Sequence, residues 1–235
     1  MKEIYPLSLQ IALFFKSINV NNIYQIAKLM DDKYKEDIVK NANIFQLNNI
    51  ILFPDSPIMR LESKEQFKNN LFVIQNNNRA DYIFNNLDDN VENYKKEINN
   101  IFDVVIEKLY DFFYECNFPI NRIGIVETFA CEQSSDIKTL CKTNDIINGF
   151  NINESYKINF ENFQVYDNVR IFNNLINIRT PQILKGKKLF YIQRDINSGI
   201  VMQDIDRIFI NTFKNGTQQL LQDKSIEILY KQVLK

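Results

Sequence analysis

Residues Asp89 to Cys116 constrain this chain more than any other stretch. Apolar side chains recur there at Val91, Tyr94, Ile98, Ile101, Phe102, Val105, Leu109, Phe112, Phe113 and Cys116. Steps of three and four residues put them on one side of a helix. Asp89 is placed to cap the first turn, and Glu92 stands three residues on, as a capping box requires. Pro119 marks the stop. A stripe this wide has to be buried, and a sheet is the expected partner.

The rest of the chain supplies strands. Leu9, Ile11, Leu13 and Phe15 alternate within Leu7–Lys16, so they share one face of a first strand. A short helix is expected over Asn21–Asp31. Asp37–Phe45 is ambiguous. Further strands are expected over Asn49–Phe53, Ile58–Glu62 and Leu71–Phe84, with a turn or bulge at Asn76-Asn77-Asn78. After the long helix comes Asn121–Glu132. Ser135–Ile147 reads as a loop or short helix. Strands then follow over Ser155–Phe160, Phe163–Phe172, Leu175–Arg179 and Lys188–Arg194, with Thr180-Pro181 breaking the third of these. Asp204–Leu234 reads as two helical segments, weakened at Gly216 and restarted at Ser225. The expected class is α+β: antiparallel sheet packed by long amphipathic helices. The order of elements suggests two related lobes, 1–132 and 133–235, or one continuous domain.

Composition narrows the chemistry. The chain has 235 residues and no histidine. That removes Ser-His-Asp and Cys-His catalysis, the usual zinc sites and the commonest general base near neutrality. Net charge is −1, so no global basic footprint invites nucleic acid. Lys185, Lys187 and Lys188 form the one tight basic cluster, which reads as a hairpin turn or as a local nucleic-acid patch. The three cysteines, Cys116, Cys131 and Cys141, have neither disulfide nor zinc spacing. Cys131 and Cys141 would need a nearby cation to act as nucleophiles. No signal peptide or membrane span is evident, so a cytoplasmic protein is expected.

Several residues could carry chemistry. Pro54-Asp55 followed by Glu62-Ser63-Lys64 spells a minimal PD…ExK. In metal-dependent nucleases such an Asp and Glu hold Mg²⁺ while the Lys serves the attacking water. The plainer reading is a turn and a charged strand end. Glu127 shares a strand face with Ile123, Ile125, Phe129 and Cys131, so it needs a partner or a raised pKa. Arg170, Arg179 and Arg194 are the candidate partners. Asp204 and Asp206 bracket Ile205 at a helix start, where acidic residues cap more often than they bind metal. Tyr110, Tyr114 and Phe118 gather near the end of the long helix and read either as interface anchors or as a second buried face.

Pro6-Leu7, Gln10 to Phe15, Asn121-Arg122-Ile123-Gly124-Ile125 and Arg194-Asp195-Ile196 together resemble landmarks of a sporadically distributed, uncharacterised bacterial family. Its members are similar in length and order of elements. That family's strand continues with Asn where this chain has Glu127-Thr128. The resemblance implies no activity, and its patchy distribution implies an accessory role such as defence, counter-defence or toxin neutralisation. The functional expectation is a non-enzymatic protein-binding module without cofactor, in a bacterium or phage. Its binding residues would be Tyr110, Tyr114, Phe118 and Glu127, and its partner another protein or a second copy of itself. The alternatives are an Mg²⁺-dependent nuclease through Asp55, Glu62 and Lys64, and a nucleic-acid-binding protein.

Overall fold

The structure, a computed structural model, describes residues 4–17, 23–46, 57–64, 68–75, 77–86, 91–132, 155–158, 164–166, 170–184, 187–199 and 204–222. Among the described residues ten strands form: β1 (Ile4–Phe15), β2 (Ala42–Gln46), β3 (Pro57–Ser63), β4 (Lys68–Gln75), β5 (Arg79–Asn86), β6 (Ile120–Glu132), β7 (Ser155–Ile158), β8 (Gln164–Tyr166), β9 (Arg170–Leu184) and β10 (Lys187–Asn197). They pair antiparallel in the order β2-β3-β4-β5-β1-β6-β10-β9-β7, with β8 on β9. The helical elements are α1 (Ile23–Leu29), α2 (Lys35–Ile38), α3 (Val91–Asn100), α4 (Ile106–Glu115) and α5 (Arg207–Gln222). The class is therefore α+β. β10 pairs with β6, so strands from both sides of residue 132 share this sheet.

Strand register builds the core row by row. Leu61, Phe72, Tyr82, Ile11, Ile125 and Ile196 face one another across six strands, and each is buried. Met59, Ile74, Ala80, Leu13 and Ile123 form the next row. Period-two alternation puts every one of these on the same side of the sheet. The helices cover that side. Phe113 centres an aromatic cluster, with ring centroids 4.6 Å from Phe15, 5.0 Å from Phe112, 6.1 Å from Phe72 and 6.3 Å from Phe118.

The long helix runs as expected but carries a π turn, Ile101–Val105, between α3 and α4. A second π turn, Met30–Tyr34, joins α1 to α2. The widened coil at 101–105 leaves Ile101, Phe102, Val105 and Ile106 all buried. The long helix also ends differently from expectation. Asn117 takes a left-handed conformation at φ 56°. The Asn117 N–H donates to the Tyr114 carbonyl at 3.0 Å, and the Phe118 N–H to the Phe113 carbonyl at 2.9 Å. These two bonds form a Schellman cap, and the Phe118 ring packs back on Phe113 as that cap favours. The stop thus lies in Asn117, before Pro119.

The turn expected at Asn76-Asn77-Asn78 is present: Asn77 and Asn78 separate β4 from β5 as a hairpin, with Asn78 at φ 60°. Two further expectations are corrected. Pro181 does not end a strand: β9 runs through it. Register passes from Leu189↔Gln182 to Tyr191↔Arg179, so Thr180 and Pro181 oppose Phe190 alone. A bulge of this kind accommodates a residue with no N–H. Gly216 lies inside a continuous α5, whose Phe209, Ile210 and Phe213 are anchored in the core; packing outweighs the roughly 1 kcal/mol helix cost of glycine. The expected strand Asn49–Phe53, the Ser135–Ile147 segment, Asp89 and Ser225 lie outside the described residues. No described helix is long and apolar enough to cross a membrane.

Candidate functional site

Glu127 points into the helix side of the sheet, between Leu9 of β1 and Arg194 of β10 in one row. It is 7% exposed, and Arg194 is 2% exposed. Register therefore selects Arg194 from the three candidate arginines. The Tyr94 hydroxyl, delivered by α3, donates to Glu127 Oε1 at 3.0 Å, and the Tyr94 ring stacks on Phe84 at 5.9 Å. Burial pushes the Glu127 carboxyl up to about 7, against the pull of the Tyr94 hydroxyl and the Arg194 charge. Tyr94 and Phe84 close over this carboxyl, so the group belongs to the join between helix and sheet.

The other side of the long helix presents a surface. At the C-terminal end of α4, Tyr110 is half-buried and Tyr114 is 74% exposed, with their rings stacked at 6.2 Å. The Arg207 guanidinium lies 5.4 Å from the Tyr110 ring centroid and pairs with Asp111. The next residue on α5, Ile208, is 68% exposed. Between α1 and the C-terminal end of α4 a cleft of about 410 Å³ opens, lined by Gln25, Ile26, Leu29, Glu115, Cys116, Asn117 and Phe118. Phe118, read either as an interface anchor or as part of a second buried face, is buried in the Schellman cap and lines the cleft with Ile26 and Leu29, although most of the cleft's accessible wall is polar. Tyr110 and Tyr114 thus stack on each other at the end of α4, whereas Phe118 packs on Phe113 and Phe15 and Glu127 sits within the core.

Charges around this corner are paired internally. Lys33 and the Tyr34 hydroxyl both bond Glu115, Lys108 pairs with Asp37, and Lys214 with Glu107. Lys33 and Tyr34 hold the Glu115 carboxyl below its usual range. Burial pushes the Cys116 thiol up to about 12, so it stays protonated and is no nucleophile.

The remaining candidates are dispersed. Glu62 lies on the face of the sheet away from the helices and pairs with Arg60. Ser63 instead lines a small cavity of about 20 Å³ with Asp37, Asn70, Tyr82 and Glu97, a size and polarity suited to one water. Lys64 is exposed, and Asp55 lies outside the described residues. No group of three or more Cys, Asp and Glu suited to a metal occurs among the described residues. Asp206 Oδ1 accepts from the Phe209 N–H at 2.7 Å, which makes Asp206 the cap of α5, while Asp204 pairs with Lys16. Lys187 and Lys188 begin β10; their side chains, Lys185 and the thiols of Cys131 and Cys141 lie outside the described residues.

Reading the sequence alone missed Asp81 on the opposite face. It is 2% exposed and accepts from Gln10, Gln75 and, through both oxygens, Arg79. Asp81 alternates with the inward-facing Ala80 and Tyr82, so the local pattern reads it as exposed and gives no sign of its burial. The chain matches no protein-family model and no curated protein.

Proposed function

We propose that this protein is a non-enzymatic binding module that docks another protein on the Tyr110–Tyr114 corner and the adjoining cleft. The observation that carries the reading is Tyr114, 74% exposed and stacked on Tyr110, at the helix end whose next residues, Glu115 to Phe118, line a 410 Å³ cleft. A large exposed aromatic next to a pocket is the usual anatomy of an interface anchor. The neighbouring acids and bases already neutralise one another, so the fitting partner is a protein that presents an uncharged side chain. Such binding is insensitive to salt, unlike binding to phosphates. A role in bacterial or phage conflict follows from the family resemblance alone.

The test is quantitative capture by the tagged protein, wild type against Tyr114→Ala, at low and high salt. Stoichiometric protein bound by wild type at both salts and lost in the variant supports the reading. Salt-sensitive recovery of nucleic acid, or equal capture by both proteins, contradicts it.

A further inference from the structure

The long helix has two unequal halves. From the π turn onward, Ile101, Phe102, Val105, Leu109, Phe112 and Phe113 are each at most 1% exposed. Over 93–100 of α3, Tyr94 alone is buried among the described residues; Ile98 is half-buried, and Lys95, Lys96 and Asn99 are exposed. The sheet beneath differs in the same sense. Phe112 and Phe113 of α4 pack on Phe72 and Phe15. The ground under α3 is polar. Glu127 and Arg194 lie there in one row, and Glu97 lines the cavity of about 20 Å³ with Tyr82, Asn70 and Ser63. The Asn70 Oδ1 is buried and has no hydrogen-bond partner. Lifting α3 would therefore expose little apolar surface and would hydrate polar groups, which marks a segment that opens at low cost.

The π turn Ile101–Val105 separates the halves. Helices bend at such turns because the regular bonding ladder is interrupted there. Tyr94 is the latch on the other side. Its hydroxyl donates to Glu127 Oε1 at 3.0 Å, and its ring stacks on Phe84. The groups that face Glu127 among the described residues are Tyr94 from α3 and Arg194 from β10. Leu9 of β1 and Phe84 of β5 bring no charge.

We propose that α3 is a strap that lifts from the sheet as a unit, pivoting at the π turn while α4 stays in place, and that ionisation of Glu127 favours the lifted state. The sign follows from what lifting does to the carboxyl. Under the closed strap, burial holds it at about 7, and in water it returns to 4.5. Lifting therefore releases a proton between these values. The closed state loses ground as pH rises through that window, and the effect levels off above it. Between pH 6 and pH 8 the lifted population rises about tenfold. The strap is independent of the docking corner, which lies on the half of the helix that stays.

The test is native-state hydrogen exchange of the full chain, read separately over α3 and α4 at pH 6 and pH 8 and corrected for the intrinsic exchange rate at each pH. The α3 amides are expected to exchange through an opening more populated than the one that exposes α4. That opening is expected to be about tenfold more populated at pH 8 than at pH 6. Glu127→Gln, which cannot ionise, should remove the rise. Equal protection of α3 and α4, which would mean that they open only together, overturns the proposal. So does an α3 opening whose population in wild type is the same at both pH values. Both readings are made on wild-type protein, so a variant that fails to fold leaves the result intact.

Discussion

The Tyr94 hydroxyl donates to Glu127 Oε1 at 3.0 Å and joins α3 to the middle of the sheet. Glu127 keeps its proton in the fold up to about pH 7, against 4.5 for the free group. The folded state therefore binds more protons than the unfolded state between these values, and stability falls as pH rises through that window. Above it the loss is complete, on the order of 3 kcal/mol over the full span. Urea unfolding should show wild type less stable at pH 8 than at pH 6 by roughly 1 kcal/mol from this group. Glu127→Gln, which cannot ionise, should lack that slope.

Tyr94→Phe keeps the stack on Phe84 and removes only the hydroxyl. A loss of about 1–2 kcal/mol is expected by denaturant titration, greater above pH 7 where Glu127 is ionised. The same change should move the Glu127 midpoint upward, because the hydroxyl favours the charged carboxylate. Equal stability of variant and wild type at pH 8 would remove Tyr94 from the support of Glu127.

The long helix and the carboxylate in its sheet were legible because both rest on local periodicity. The stripe from Tyr94 to Phe113 gives helix, face and partner, and alternation about Glu127 gives its burial. What was not legible depends on distant register or on backbone detail. Gln10 meets Asp81 across 71 positions, which no local pattern encodes. Among three candidate arginines, Arg194 was singled out only by the β6–β10 register. The fate of Phe118 turned on Asn117 adopting a left-handed conformation. Proline rules misread β9 because a bulge absorbs Pro181. The docking corner was half legible: the aromatic cluster can be read from sequence, but not which rings would be covered.

Asp81→Ala should leave Arg79, Gln10 and Gln75 without their shared acceptor. Breaking a fully buried pair costs about 3–5 kcal/mol. Arg79 is 33% exposed, so water takes up part of the loss and about 2 kcal/mol is expected. Thermal unfolding at low and high salt measures this directly, and a change below about 0.5 kcal/mol would mean that the network is incidental.

Phe113→Ala should be among the most damaging single substitutions. Its ring touches four other phenylalanines, and removing it opens a cavity at a cost of about 3–5 kcal/mol. Tyr114→Ala, one residue on, should stay within about 0.5 kcal/mol of wild type because its ring is in solvent. Chemical denaturation of the pair gives the contrast, and a similar loss in both would place the Tyr114 ring in the core.

That neutrality makes Tyr114 the most direct probe of function. The measurement is the amount of partner protein captured per mole of bait, wild type against Tyr114→Ala, at high salt and with both baits shown to be equally folded. Near-stoichiometric capture by wild type, falling at least about tenfold in the variant, is the expected result for an aromatic anchor at an interface centre. Capture that is undiminished in the variant, or absent from wild type, would contradict a docking site at this corner.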